Sequence, residues 1–295
     1  MKYLFIINPS ANSGRAKGYK TKIKNYMDYK KKKCNSIEEY SIKMTNRPNH
    51  ATLIASQFEG EYDVIVAVGG DGTVKEVATG LIYSKKIAMG IIPAGTGNDF
   101  VAGFKLETCL EKAIDAILTN KIRTCDVGTV NGNLFLNVAT IGFDAEVVKN
   151  TYFYKSIIKS SLSYKLAIIN TWIKYVPIGV SKDRVKNKIT LLAVGIGKQY
   201  GGGFPILPNA IYDDGLFDIC CISKLNRAQI LMLMPKLVKG KHLELKKYVK
   251  SFRTSNYEVT IDRDTVLNID GELTKINKNE LIKFKIIPKA IKIVG

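Results

Sequence analysis

Hydrophobic and polar positions follow two different rhythms along this chain. Over residues 1–128, short apolar runs rich in β-branched residues each give way to a small polar loop and then to helical spacing. Lys2 to Ile7 predicts a first strand, followed by the loop Asn8-Pro9-Ser10-Ala11-Asn12-Ser13-Gly14-Arg15 and a helix from about Ala16 to Tyr29. Glu38 to Met44 predicts a second strand, with the loop Thr45-Asn46-Arg47-Pro48-Asn49-His50-Ala51 opening a helix to Phe58. Asp63 to Val68 predicts a third, buried strand. It stops at Gly69-Gly70-Asp71-Gly72-Thr73, after which Val74, Val77, Ala78 and Leu81 share one helical face. Ile87 to Ile92 predicts a fourth strand, leading into Pro93-Ala94-Gly95-Thr96-Gly97-Asn98-Asp99-Phe100. A helix over Cys109 to Leu118 and a strand over Ile122 to Val127 follow. Strand, loop and helix in repetition predict a doubly wound, Rossmann-like α/β domain with its ligand at the carboxyl ends of the strands.

After Asp126 the rhythm changes. Thr129 to Val138, Lys188 to Ile196, Gly215 to Ile222, Tyr257 to Ile261, Val266 to Ile269 and Leu281 to Ile286 read as strands. Asn-Gly, Gly-Gly-Gly, Asp-Asp-Gly and Asp-Gly turns separate them, which predicts an antiparallel β domain with a few helices. One long helical stretch, Ser156 to Val176, puts Ile158, Leu162, Leu166, Ile169, Trp172, Ile173 and Val176 on one face, with Lys155, Lys159, Lys165 and Lys174 around it. Packing of that face on the β domain is the expectation; seating on a membrane interface is the alternative.

Composition narrows the partners. The 295 residues carry a formal net charge of +19, which favours nucleic acid, phosphate-bearing substrates or an anionic membrane. No recognised nucleic-acid motif accompanies the charge, so no nucleic-acid partner is expected. The five cysteines include an adjacent pair and no CxxC, a pattern of reduced thiols in a cytoplasmic protein. Met1 to Ile7 is too short for a signal sequence, and no run of about 18 uncharged apolar residues offers a membrane span.

The candidate chemistry lies in the strand-end loops. Glycines around Asp71 are expected to reach left-handed backbone angles and to let a ligand come close. A helix start there offers free N–H groups to an anion. Asp71 beside a phosphate then acts through a metal or on a substrate hydroxyl. Asp71, Asp99, Asp126 and Asp218 form an acidic set expected around a metal. Oxygen donors suit Mg²⁺, whereas the cysteines do not. Read alone, Asp270-Gly271 is a hairpin turn, and His50 is a helix-start residue.

These motifs, in this order, resemble the diacylglycerol kinase catalytic domain family, especially its bacterial soluble lipid kinases. Asn8 through Gly14 resembles the first phosphate loop. Thr45 with His50-Ala51 resembles the Thr…Gly-His-Ala element, with Asn49 in place of the usual Gly. Gly69 to Thr73 is similar to the signature, Gly95 to Phe100 to the next motif, and Asn137 to Phe143 to an Asn-x-x-x-x-Gly-Phe segment. Pro208 to Asp218 resembles a metal-binding turn, and Asp270-Gly271-Glu272 the late motif.

The resemblance implies a nucleotide domain over 1–128 with a return at 287–295, a β-sandwich lipid-substrate domain over 129–286, and an active site in the cleft between them. It implies ATP contacts at Asn8, Ser10, Ala11, Asn12, Ser13, Gly14, Thr45, Gly69, Gly70, Gly72, Thr73, Lys75, Glu76, Gly95, Thr96 and Asn98. It places Mg²⁺ at Ile211, Asp214 and Leu216, and catalytic roles on Glu272, as base, and Asp71. The expected activity is ATP- and Mg²⁺-dependent phosphorylation of a lipid hydroxyl, diacylglycerol first, by a cytoplasmic protein peripherally associated with the membrane. Phosphatidylglycerol or a sphingoid base as acceptor, an NAD kinase, and a non-catalytic binding protein on the same fold are the alternatives. An exposed edge strand would let two copies pair.

Overall fold

The strand–loop–helix rhythm is realised in the first of two compact units. The computed structural model describes residues 1–84, 86–157, 162–182 and 185–295. The units comprise Met1–Val127 with Pro288–Gly295, and Gly128–Ile287.

In the first unit the elements are β1 (Lys2–Ile7), α1 (Tyr19–Lys33), β2 (Glu39–Met44), α2 (His50–Gln57), β3 (Val64–Gly69), α3 (Asp71–Leu81), β4 (Ala88–Pro93), α4 (Asp99–Phe104), α5 (Leu110–Leu118) and the start of β5 (Ile122–Val130). Strand β1 pairs in parallel with β2 on one side and β3 on the other, and β3 pairs in parallel with β4. Residues Lys292 to Val294 add a further parallel strand beside β4. The order β2-β1-β3-β4 reverses direction at β1, the topological switch point where open α/β sheets bind ligands. Every residue of β3 is buried, as a central parallel strand covered on both faces requires. Ile23 and Met27 of α1, Ile114 and Ile117 of α5, and Phe5, Val66 and Ile92 of the strands share one core.

The first helix departs from its expected bounds. Residues Ala11–Gly18 form a 3₁₀ turn, and α1 begins only at Tyr19. It then runs through Lys30, Lys31, Lys32 and Lys33, whose charges complement the negative end of the helix dipole.

The second unit continues with β6 (Asn133–Phe135), β7 (Val138–Gly142), α6 (Phe143–Ile157), α7 (Leu162–Lys174), β8 (Ile178–Lys182), β9 (Val185–Gly195), β10 (Phe217–Ser223), α8 (Arg227–Val238), β11 (Val249–Thr254), β12 (Asn256–Ile261), β13 (Thr265–Ile269), β14 (Glu272–Ile276) and β15 (Leu281–Val294). Pairing is antiparallel along β14-β13-β7-β9, and β10 joins β9 to β11. The single strand expected over Thr129 to Val138 is instead a hairpin. Asn131 and Gly132 take φ of 46° and 85°, and β6 folds back on β5. Strands β8, β11 and β14 and helix α8 escaped the periodicity reading because they are short or, in α8, interrupted by Pro235.

The long helix expected over Ser156 to Val176 is replaced by α6 and α7, and Ile158 and Lys159 lie outside the described residues. The buried face is also not the one expected. Ser163, Ala167 and Thr171 point inward, while Leu162, Ile169, Ile173 and Val176 are exposed. Small residues win the inner face because they let α7 pack closely on α6, where Asn150 donates to Thr171 Oγ1 at 2.8 Å.

Candidate active site

The loops after β1, β2 and β3 enclose a cavity of about 560 Å³ in the first unit. Asn8, Ser10, Thr45, Thr73 and Glu76 line it, together with Pro9, Asn46, Arg47 and Pro48. The lining is built by short polar bridges between loops. Asn8 donates from Nδ2 to Thr73 Oγ1 at 3.1 Å, and its Oδ1 accepts the Ser10 N–H at 3.0 Å. Arg47, exposed on the β2 loop, brings a guanidinium to a wall of hydroxyls and amides, two prolines and the Glu76 carboxylate. It was not among the expected contacts, although its position in a strand-end loop is a readable signal.

Glu76 has a second task. Its carboxylate accepts the N–H groups of Asn49 and Ala51, each at 3.0 Å, so it caps the start of α2. Asn49 stands at φ 61°, a left-handed position that Asn and Gly tolerate, which explains how Asn replaces Gly there. His50 accepts the Asn46 N–H on Nδ1 at 3.2 Å and closes the same loop.

The glycines of the signature do not adopt left-handed angles, contrary to expectation; Gly70 has φ −94°. Close approach of chain to chain requires them instead. A Cβ at Gly69 would sit 2.4 Å from Thr73 Oγ1, and one at Gly95 only 2.3 Å from Gly70 Cα. The β3 and β4 loops thus touch backbone to backbone. Gly72 differs, since a Cβ there meets nothing within 4 Å.

Asp71, the first residue of α3, accepts the Phe100 N–H on Oδ1 at 3.1 Å, with the N–H groups of Asn98 and Asp99 also turned to it. It therefore caps α4 from the neighbouring loop. Burial pushes its carboxyl above the usual range, against the pull of these donors, and Asp99 adds to the rise. Asn98 closes its loop by exchanging hydrogen bonds with Gly95 at 3.1 and 3.0 Å, which leaves Thr96 exposed at the tip. Lys75 is half-buried in α3. Ala11, Asn12 and Gly14 lie on the 3₁₀ turn beyond Ser10, and the Ser13 side chain lies outside the described part. Asp126 is fully buried, and its Oδ1 accepts the Lys289 N–H at 2.7 Å, pinning the return of the chain.

In the second unit Glu272 is exposed at the start of β14. The turn before it is held from below. Asp270 and Gly271 take φ of 51° and 93°, the signature of a tight type I′ hairpin. The Asp270 carboxylate accepts the N–H groups of Leu136, Asn137 and Val138 at 2.6, 3.1 and 3.0 Å. Tyr152 of α6 donates to the Gly271 carbonyl at 2.9 Å, and the Gly271 N–H reaches Asn268 Oδ1 at 2.9 Å. Asn268 in turn donates to the buried Asp144 at 3.1 Å. Sequence reading missed the distant partners in these supports, Leu136 to Val138, Asp144 and Tyr152, because they lie more than 100 positions from Glu272.

The expected metal turn carries its own cation. Arg253 of β11 pairs with Asp214 and reaches Asp218 Oδ2 at 3.3 Å. Asp214 Oδ1 also accepts the Leu216 N–H at 3.1 Å, and Ile211 is exposed. A carboxylate with backbone carbonyls is the oxygen set that magnesium takes. Here Arg253 already balances that carboxylate, and no group of three acidic, His or Cys side chains suited to a metal occurs among the described residues.

Comparison with known proteins gives this geometry a context. Residues 2–130 match the diacylglycerol kinase catalytic domain, and residues 137–295 match the YegS C-terminal NAD kinase beta sandwich-like domain. The diacylglycerol kinase of Bacillus subtilis is 30% identical over 223 residues, 72% of each chain. A probable lipid kinase YegS-like of Pseudomonas aeruginosa is 29% identical over 266 residues, 86% of this chain and 84% of that protein. Among solved structures, a putative diacylglycerol kinase from Bacillus anthracis superposes with TM-score 0.77 at 24% identity, over 99% of this chain and 94% of the other. An NAD kinase from Archaeoglobus fulgidus in complex with ATP shares the fold more distantly, with TM-score 0.54 and 13% identity over 100% and 94%. The chain belongs to the diacylglycerol kinase catalytic-domain family of lipid kinases. Its first unit has a Rossmann-like core and its second is a β-sandwich. A kinase domain implies use of ATP.

Proposed function

We propose that this kinase transfers the γ-phosphoryl group of ATP to the free hydroxyl of diacylglycerol, giving phosphatidic acid. The cavity at the ends of β1, β2 and β3 carries the reading. It lies at the switch point of a nucleotide-type sheet and is lined by Asn8, Ser10, Thr45 and Thr73 with Arg47 beside them. Hydroxyl and amide donors with one guanidinium suit phosphate oxygens. Gly72 leaves open space where a phosphate can approach the start of α3. When magnesium accompanies the nucleotide it neutralises charge on the phosphates. Relatives named diacylglycerol kinase support the choice of acceptor.

A lipid hydroxyl is a weak nucleophile, and a carboxylate that takes its proton makes it a better one. We assign that role to Glu272, exposed at the end of a turn fixed by Asp270, Tyr152 and Asn268. Asp71 ties the β3 loop to the β4 loop, and its charge serves the phosphoryl end of the nucleotide.

The deciding experiment offers labelled ATP with a total lipid extract, and separately with NAD, and identifies the product by mass spectrometry. Phosphatidic acid is the expected product. Phosphorylation of NAD alone would move the protein to the NAD kinases; phosphorylation of another lipid would change the acceptor only. Glu272→Ala is expected to lower turnover about 100-fold or more with ATP binding intact. Asp71→Asn keeps an acceptor for the Phe100 N–H and removes the charge, so it should fold normally and still lose most activity. Full turnover in either variant removes that residue from its role.

A further inference from the structure

We infer that helix α6 aims the carboxylate of Glu272, with Asp144, acting through Asn268, and Tyr152 as positioning residues that grip the Gly271 backbone at both ends. Glu272 is the base of the reading above, on which this inference rests. Thr140 of β7 stands opposite Asn268 of β13, and both are buried. Gly142 has φ 106°, and a Cβ there would sit 2.4 Å from the Thr190 carbonyl oxygen. With Gly at this place β7 passes into α6 without a loop. Asp144 thereby falls in the first turn of α6, where the positive end of the helix dipole favours a buried carboxylate. Its Oδ2 accepts the Thr140 hydroxyl at 2.6 Å and Asn268 Nδ2 at 3.1 Å, and Asn268 Nδ2 also donates to Thr140 Oγ1 at 3.2 Å.

These contacts decide which way the Asn268 amide faces. A carboxylate only accepts, so the amide turns Nδ2 to Asp144 and Oδ1 away from it. On that other side the Gly271 N–H is the donor, 2.9 Å from Oδ1. An amide rotated by half a turn would set a donor against that N–H and an acceptor against the carboxylate. Asp144 thus selects the one orientation that holds the turn, and a buried network of this kind is firm only when every member is satisfied. The other end of Gly271 is held from the same helix. Its carbonyl accepts the Tyr152 hydroxyl at 2.9 Å. That carbonyl carbon is bonded to the Glu272 nitrogen, so the Tyr152 contact fixes the peptide plane from which the Glu272 side chain leaves. A general base must come within hydrogen-bond reach of the proton it takes, and a displacement of about 1 Å can cost roughly 100-fold in rate. An exposed hairpin end needs such a backing, and α6 supplies it at two points.

The test is a double-mutant cycle on the full chain, with labelled ATP and short-chain diacylglycerol. Asp144→Asn can present an amide N–H to Asn268 and so releases the constraint on its orientation. It is expected to lower kcat about tenfold or more, with KM for ATP unchanged. Tyr152→Phe removes one exposed hydroxyl, is the arm least able to harm folding, and should lower kcat about threefold. In a Glu272→Ala background neither substitution should lower the residual rate further, because there is no longer a base to misplace. Hydrogen exchange gives a readout independent of turnover. The segment from Leu267 to Thr274 should exchange about tenfold faster in Asp144→Asn, while β1 and β3 exchange as in wild type. Wild-type kcat in folded Tyr152→Phe and Asp144→Asn would overturn the proposal. So would an equal further loss in the Glu272→Ala background, since the residues would then act on the fold at large. Full turnover in Glu272→Ala alone is a different failure: it removes the base itself, and the positioning of that base with it.

Discussion

The contrast between Gly95 and Gly72 shows how two glycines of similar motifs do different work. Gly95→Ala places a Cβ against the Gly70 backbone, where no side chain can turn aside. It should destabilise the protein by about 2 kcal/mol or more, read by urea denaturation. Gly72→Ala meets no protein atom within 4 Å and lies in the first turn of α3. It should be neutral to stabilising by about 0.5 kcal/mol, while calorimetry shows weaker ATP binding. The motif itself was plain in the sequence; the reason for each glycine was not, because the neighbour that matters is some 25 positions away in the other motif. His242 makes a similar point. It is fully buried, its Nε2–H donates to the Ile206 carbonyl at 3.0 Å, and its Nδ1 has no hydrogen-bond partner among the described residues. Burial lowers its pKa from the usual 6.5, so the folded protein holds it neutral while the unfolded chain takes up a proton. Stability from this group is present above 6.5 and is lost progressively as pH falls from there through the lower value of the folded state. Thermal midpoints measured between about pH 7.5 and 5.5 should fall more in wild type than in His242→Gln.

At the scale of elements, strands of the first unit were readable because buried β-branched runs leave a strong trace. The predicted Lys2 to Ile7 is β1 as observed. Helix α7 was read with the wrong face inward. Apolar periodicity reports a face that avoids water, and it does not say whether protein or lipid takes its place. Close helix packing favoured Ser163, Ala167 and Thr171, which no hydrophobicity scale would choose. The β13–β14 hairpin was legible as a turn from Asp270-Gly271, but its anchoring was not. Asp270→Asn keeps a residue tolerant of positive φ and removes one of the oxygens that hold β6–β7 N–H groups. It should cost about 2 kcal/mol in denaturation. It should also lower turnover while Glu272 is still present, which separates placement of the base from its chemistry.

At the scale of the molecule, composition set the direction and the motifs set the family. The change of rhythm after Asp126 marked where an α/β reading had to stop. What composition could not show is how the +19 charge is spread over the elements; α1 alone carries seven lysines to one acid. The strand β15 has a further consequence. Its first residues, Leu281 to Lys285, pair with Thr260 to Asn256 of β12, and its last three, Lys292 to Val294, close the first unit beside β4. During synthesis the ribosome must therefore make all of residues 128–287 before the piece that completes the earliest-made unit exists. Until then β4 presents an open edge, of the kind that invites other chains. A chain stopped at Ile287 should be recovered largely as aggregate, and adding residues 288–295 as a separate peptide should raise the soluble fraction. Maturation of the nucleotide unit is in this sense a late event, timed by the tail rather than by its own first 127 residues.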